Sequence, residues 1–142
     1  MEKIDDSLYK SVSKFHVPRW KEFPNVDLYI DQLVSYLDSY LGKYFNDDNL
    51  ENKDNKIITK TMINNYVKNG ILDAPVKKKY NKIHFAKLFV ICTLKQIYSI
   101  NDINELINLA IKNFPIKKAY DRFCQELENS IFITFSVNDY TF

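Results

Sequence analysis

Thr59-Lys60-Thr61-Met62-Ile63-Asn64-Asn65-Tyr66-Val67-Lys68-Asn69-Gly70, continued by Ile71-Leu72-Asp73-Ala74-Pro75-Val76-Lys77-Lys78-Lys79-Tyr80, is the stretch that decides how this chain folds. Thr59 has the short hydroxyl side chain that accepts from a free N–H at a helix start. Met62, Ile63, Tyr66 and Val67 then recur at helical spacing and make one apolar stripe. Lys60, Thr61, Asn64, Asn65 and Lys68 fall on the complementary face. Asn69-Gly70 suits the left-handed residue that closes many helices. Ile71-Leu72 returns the chain to the core, and Pro75 disfavours a further helix there. Residues 76–80 read as a small basic hairpin, or wing, with an apolar residue at each end.

The charge around that stretch is segregated. Of 142 residues 20 are basic and 18 acidic, a net charge of only +2. Residues 56–95 carry nine Lys against a single acid, Asp73, whereas both flanks are net acidic. Concentrated charge of this kind is the electrostatic footprint of a polyanion binder. A compositional bias runs alongside it. Arg19 and Arg122 are the only arginines, and Ile, Asn, Tyr and Phe abound, as AT-rich coding would produce. That bias explains Lys in place of Arg, but not the loss of acids from one block.

Outward from the block, the pattern is helical. Residues 1–15 form a polar lead-in with a short helix, broken at Val17-Pro18-Arg19-Trp20, where Trp20 is expected to anchor the segment on the domain. Asn25 or Asp27 can cap a helix to about Leu41, with Val26, Ile30, Leu33, Val34, Leu37 and Leu41 on one side and Gly42 near its end. Residues 46–56 are polar and without periodicity, a flexible loop. Asn81 can cap a long helix over 82–98. Ser99 with Asp102 opens the next, and Pro115 follows its end. Tyr120, Phe123, Cys124, Leu127 and Ile131 mark a last helix. The alternation of Ile131, Ile133, Phe135 and Val137 suggests a strand-like arm over 132–142. Two Gly and four Pro leave little material for an all-β fold.

Catalytic and metal-binding patterns are scarce. His16 and His84 are the only histidines, and His84 beside an apolar helical stripe suits a structural role. Cys92 is eight residues from it, too far along a helix at 1.5 Å per residue for the two to touch. There is no Cys-x-x-Cys, His-x-x-x-His or His-Glu-x-x-His. Asp47, Asp48, Glu51 and Asp54 lack the spacing and glycine of a calcium loop. Cys92 and Cys124 read as reduced core thiols. Neither an enzyme, a cofactor nor a metal site is expected. The apolar run 88–94 is far short of the ~20 residues of a membrane span, and residues 1–10 lack a secretory pattern. A cytoplasmic protein with no membrane association is expected.

Residues 59–107 resemble the winged helix-turn-helix of MerR-type regulators. That class has a capped helix beginning Ser/Thr-x-x-Thr-Ile-Arg-Tyr-Tyr, then Gly-Leu-Leu, a Pro and a basic wing ending in Tyr. Matching elements here are Thr59 to Tyr66, Gly70-Ile71-Leu72, Pro75, Lys77-Lys78-Lys79-Tyr80, the Tyr98-Ser99-Ile100 step and Ile103-Asn104-Glu105-Leu106-Ile107. Asn64 and Asn65 stand where the class has Arg and Tyr, so its base preference does not carry over. More of the chain resembles an uncharacterised-domain family of low-GC bacteria, taken to be transcriptional regulators. Pro18-Arg19-Trp20, Asp27-Leu28-Tyr29-Ile30-Asp31-Gln32, Met62-Ile63-Asn64-Asn65-Tyr66-Val67-Lys68 and Ala74-Pro75-Val76-Lys77-Lys78-Lys79-Tyr80 carry that likeness.

The expectation is therefore a mainly α fold, a helical bundle around a MerR-like winged helix-turn-helix with a short β wing. It comprises an acidic helical segment (1–45), the loop (46–56), the winged unit (57–113), and a helix with its arm (114–142) that belongs to the same domain or to a dimer interface. The expected function is transcription regulation by a homodimer on double-stranded DNA. Lys60, Thr61, Asn64, Asn65 and Lys68 would face the major groove, where an Asn amide suits adenine. Lys77, Lys78, Lys79, Tyr80 and Lys82 would contact the backbone. The alternative is a protein-interaction adaptor that reuses the winged fold without DNA.

Overall fold

The computed structural model describes residues 15–45 and 57–140. Five helices carry most of it: α1 (Ile30–Phe45), α2 (Lys60–Lys68), α3 (Lys82–Leu94), α4 (Ile100–Asn113) and α5 (Ile116–Tyr140). A 3-10 turn at Trp20–Glu22 precedes them. Two short strands, β1 (Leu28–Tyr29) and β2 (Lys79–Tyr80), pair antiparallel, with Leu28 opposite Tyr80 and Tyr29 opposite Lys79. The chain is mainly helical with one small sheet. Among the described residues no helix is long and apolar enough to cross a membrane. Residues 1–14 of the expected lead-in over 1–15, and the loop over 46–56, lie outside the described residues.

The helix starts follow their caps. Thr59 Oγ1 accepts from Met62 N at 3.2 Å, and Ser99 Oγ accepts from Asp102 N at 3.1 Å. The Asn81 side chain accepts from Ile83 N and His84 N, while Asn81 N donates to His84 Nδ1 at 3.0 Å, a reciprocal box at the head of α3. Each such cap contributes about 1 kcal/mol.

α3 is the central element. His84, Phe85, Ala86, Leu88, Phe89, Ile91, Cys92 and Thr93 are all buried, so it is covered around most of its circumference, as an all-round apolar helix must be. α1, α4, α5 and β2 pack against it. The Phe23 ring lies 5.6 Å from Phe85, 6.0 Å from Phe89 and 5.2 Å from Tyr120. Tyr36 of α1 adds a ring 5.7 Å from Phe89. Cys92 and Cys124 are free thiols, both buried.

Three boundaries differ from the sequence reading. α1 starts at Ile30, because Leu28 and Tyr29 are taken up by the pairing with β2; Gly42 lies inside it. α3 stops at Leu94, short of residue 98. Residues 132–140 continue α5 as helix, where a strand-like arm was expected. Neither Gly nor Pro follows Pro115, so nothing interrupts a helix once it has started.

The segment before α1 is fastened to α5. Arg19 Nη1 and Nη2 donate to the two Glu128 carboxylate oxygens at 2.7 and 3.1 Å, and Val17 N donates to Glu128 Oε2 at 3.0 Å. Trp20 N donates to Asp121 Oδ1 at 2.9 Å, and Tyr120 Oη donates to the Pro18 carbonyl at 2.6 Å. Burial pushes the Glu128 carboxyl up, but the hydrogen bonds from Arg19 and Val17 and the Arg19 charge outweigh it and hold the group below the usual carboxylate range. A folded value below the unfolded one adds stability above the unfolded pKa, and that stability is lost as pH falls through the folded value. Glu128→Gln should therefore cost about 1.5–3 kcal/mol at pH 7. The difference from wild type should shrink in denaturant melts as the pH drops below the carboxylate range. A penalty that stays constant with pH would show that the carboxylate charge plays no part.

Candidate nucleic-acid interface

α2 divides its faces as the sequence pattern requires. Ile63 is fully buried, Met62, Tyr66 and Val67 pack on the core, and Lys60, Thr61, Asn64, Asn65 and Lys68 are exposed. Its C-terminal end closes at Gly70, whose φ of +76° is left-handed, and the Ile71 and Leu72 amides both donate to the Tyr66 carbonyl. A Cβ at Gly70 would meet nothing within 4 Å, so the backbone angle rather than space favours glycine. The opposite end is held by Lys95, one residue beyond α3, whose Nζ donates to the Ile57 carbonyl and lies 3.7 Å from Met62 Sδ. Burial pushes the Lys95 ammonium pKa down.

Residues 76–79 make a two-residue hairpin turn. Val76 and Lys79 exchange both backbone hydrogen bonds, each 3.0 Å. The two central residues, Lys77 and Lys78, have φ of +51° and +66°. Paired positive φ angles are those of a type I′ turn, whose preferred occupants are Asn-Gly or Gly-Gly. A Cβ-bearing residue without a local hydrogen-bonding side chain costs roughly 1–2 kcal/mol at each such position. The hairpin is braced from behind: His84 Nε2 donates to the Asp73 carbonyl at 3.0 Å, while its Nδ1 accepts from Asn81 N. With Nδ1 accepting from Asn81 N, the proton is assigned to Nε2. His84 is thereby a structural brace.

The two basic elements converge on one end of α1. Lys60 at the start of α2 forms an ion pair with Asp31 in the first turn of α1. The Lys79 ammonium lies 5.2 Å from the centre of the Tyr29 ring, and Tyr29 is its partner in the sheet. Tyr29 and Asp31 are two residues apart, so α2 and the hairpin flank the same turn. Asp31 and Lys60 are 71% and 58% exposed, and a pair that open is worth ~0–1 kcal/mol; a phosphate can compete for that lysine. Lys77 and Lys78 stand exposed at the tip. Lys82 is half-buried, with Nζ 3.3 Å from Asn25 Oδ1.

One candidate is corrected. Tyr80 is 3% exposed and lies in the core, its ring edge-on to His84 at 5.1 Å; it cannot reach a nucleic acid backbone. Sequence reasoning also missed Tyr29, Asp31 and Lys95, which position the basic elements. Their roles depend on contacts between segments distant in sequence and leave no local signal. His84, three residues after a capping Asn, did carry the spacing of a capping box.

The sequence profile of a family described as Domain of unknown function (DUF1836) matches residues 18–123. Among curated proteins and solved structures, none matches.

The turn yields a direct test. Replacing Lys77 by Asn and Lys78 by Gly should raise stability by about 1–3 kcal/mol in total, by relieving the left-handed strain. Denaturant unfolding of the double variant measures it, and a stability equal to or below wild type would show that the turn carries no strain.

Proposed function

We propose that this chain, which belongs to the DUF1836 family, is a cytoplasmic transcription regulator that binds double-stranded DNA. In this reading residues 57–113 form a MerR-like winged helix-turn-helix, with α2 in the major groove and the 76–79 hairpin as a wing on the flanking phosphates. The observation that carries it is the pair Lys77 and Lys78, held exposed in a backbone conformation that disfavours lysine. Strain retained at an exposed tip is characteristic of a functional site, and two adjacent cations there suit phosphates. Asn64 and Asn65 supply exposed amides able to pair bidentately with adenine. A nine-residue helix reads few bases, so the functional unit is a two-fold dimer on a pseudo-palindromic site. Its chemistry is binding, with no catalytic step.

A second reading has its own support. Val26, Tyr29 and Val76 are 67, 50 and 67% exposed, and Tyr29 and Val76 both adjoin Lys79. Apolar groups beside a basic tip also suit an acidic protein partner, as an adaptor would need.

Selection of bound fragments from a random DNA pool, followed by titration, separates the two. Replacing Lys77, Lys78 and Lys79 by Ala should weaken binding to every sequence. It should also reduce the slope of log affinity against log salt by up to ~2.7, at ~0.9 for each phosphate no longer neutralised. Asn64→Ala or Asn65→Ala should cost little stability and relax preference at one position per half-site, worth about 1–3 kcal/mol. Failure to enrich any fragment would favour the adaptor.

Sedimentation checks the assembly. The apolar residues 132–142 are the proposed dimer contact, and a chain lacking them should sediment as a monomer and bind DNA more weakly. Unchanged sedimentation would remove that segment from the interface.

A further inference from the structure

Asn69-Gly70, which closes α2, is the one place in the chain where an asparagine precedes a glycine. Both residues are exposed, and among the described residues no group bonds to the Asn69 side-chain amide. Asn81 and Asn129, by contrast, have their amide oxygens engaged, by Ile83 N and His84 N and by Gln125 Nε2. Glycine is favoured at 70 by its φ of +76°, and the missing Cβ also leaves its nitrogen unshielded. Nothing lies within 4 Å of the place a Cβ would take, so no neighbour covers the pair.

An asparagine so placed is open to attack by the next backbone nitrogen. The Gly70 nitrogen bonds to Asn69 Cγ, the Cγ–Nδ2 bond breaks, and ammonia leaves with the proton that the Gly70 nitrogen gives up. The resulting cyclic imide then takes up one water. Water that breaks the new Cγ–N bond leaves aspartate. Water that breaks the original C–N bond leaves isoaspartate, with the main chain rerouted through Cβ and Cγ. The helix end sets the pace. Ring closure needs the Gly70 nitrogen to eclipse Cβ about the Asn69 Cα–C bond. At the observed ψ of 6° it eclipses the Asn69 nitrogen instead, and it donates to the Val67 carbonyl at 3.1 Å. Conversion therefore waits on local opening of the last turn, a motion available to exposed helix ends well below global unfolding.

The products do not fit the closed end. A carboxylate at residue 69 meets the negative end of the α2 dipole and joins Asp73 as only the second acid of residues 56–95. Isoaspartate also lengthens the main chain ahead of Gly70. That displaces the Ile71 and Leu72 amides, which donate to the Tyr66 carbonyl at 2.9 and 3.2 Å. We infer that Asn69-Gly70 is a site of spontaneous covalent modification, at which conversion of Asn69 to isoaspartate unfastens the C-terminal end of α2. The site stands whether or not the chain binds DNA; on the DNA-binding reading, the altered element is the recognition helix.

Ageing the full chain in warm, mildly alkaline buffer, with no DNA present, tests it. Peptide mapping by mass spectrometry should find Asn69 converted before Asn129, which Ser130 follows inside α5. The chain in denaturant should convert faster. In the aged, refolded-free native sample the Ile71 and Leu72 amides should lose hydrogen-exchange protection about five- to tenfold, the equivalent of one net hydrogen bond. Asn69→Gln, aged alike, should show neither the modification nor the loss. An Asn69 still intact when Asn129 has converted would overturn the site. Equal rates with and without denaturant would overturn the control by the helix end. Undiminished protection in the converted protein would overturn the unfastening, and failure of Asn69 to convert at all would overturn the proposal outright.

Discussion

α3 is buried on nearly every side, and each neighbouring element has to find its place against it. This one constraint orders both basic elements. At its head, Asn81 and His84 close the capping box, and His84 reaches on to the Asp73 carbonyl, so the hairpin is tied to the start of the helix. Just past its tail, Lys95 reaches the Ile57 carbonyl and Met62, so the start of α2 is tied to the other end. A helix of 13 residues is rigid over about 20 Å. The spacing between the two tethers is therefore set by one element whose packing leaves it little freedom. α1 completes the frame from outside, since Asp31 and Tyr29 meet Lys60 and Lys79.

The parts of this arrangement legible in the sequence are those that local chemistry decides. Thr59, Asn81 and Ser99 cap the helices they were expected to cap, and Gly70 takes the left-handed angle that its place after Asn69 implied. The faces of α2 follow from spacing alone. What could not be read has a common cause. β1 is two residues long, too short for any alternation to register, and it exists because β2 comes alongside from a distant part of the chain. That pairing delays the start of α1 to Ile30, past the start that a cap at Asn25 or Asp27 implied. Tyr80 looked like the end of a basic wing, but its pairing with Leu28 turns it inward, onto His84. The alternation after Ile131 fitted a strand only because no contact was available to say otherwise; with no breaker after Pro115, the helix persists.

Arginine is scarce in this chain, and the one arginine engaged across distant segments is spent on the fold. Arg19 forks onto Glu128 at two oxygens, a geometry that lysine cannot reproduce. The surface lysines are asked for less. On the proposed reading, a point charge on a flexible stem would meet a phosphate whose position varies, and it needs no fixed fork. The division matches the two tasks: directional bonding where the N-terminal segment must dock on α5, diffuse positive charge where α2 and the hairpin face solvent.

Coding bias is the simplest rival explanation for that diffuse charge, and the hairpin turn is where it fails. A genome that favours Lys favours Asn as well, and this chain has 15 of them. Asn is the residue, after Gly, that best tolerates positive φ, because its short side chain can bond to the local backbone. Drift under the same bias would place Asn at Lys77 or Lys78 as readily as Lys, with a gain in stability at either position. Both positions nevertheless carry a long cation at a left-handed angle, at the tip of a turn whose other contacts are all satisfied by backbone. Composition accounts for lysine on the helices, where it costs almost nothing. It does not account for lysine twice in succession where lysine is among the less favourable choices; the proposed phosphate contact at that tip would.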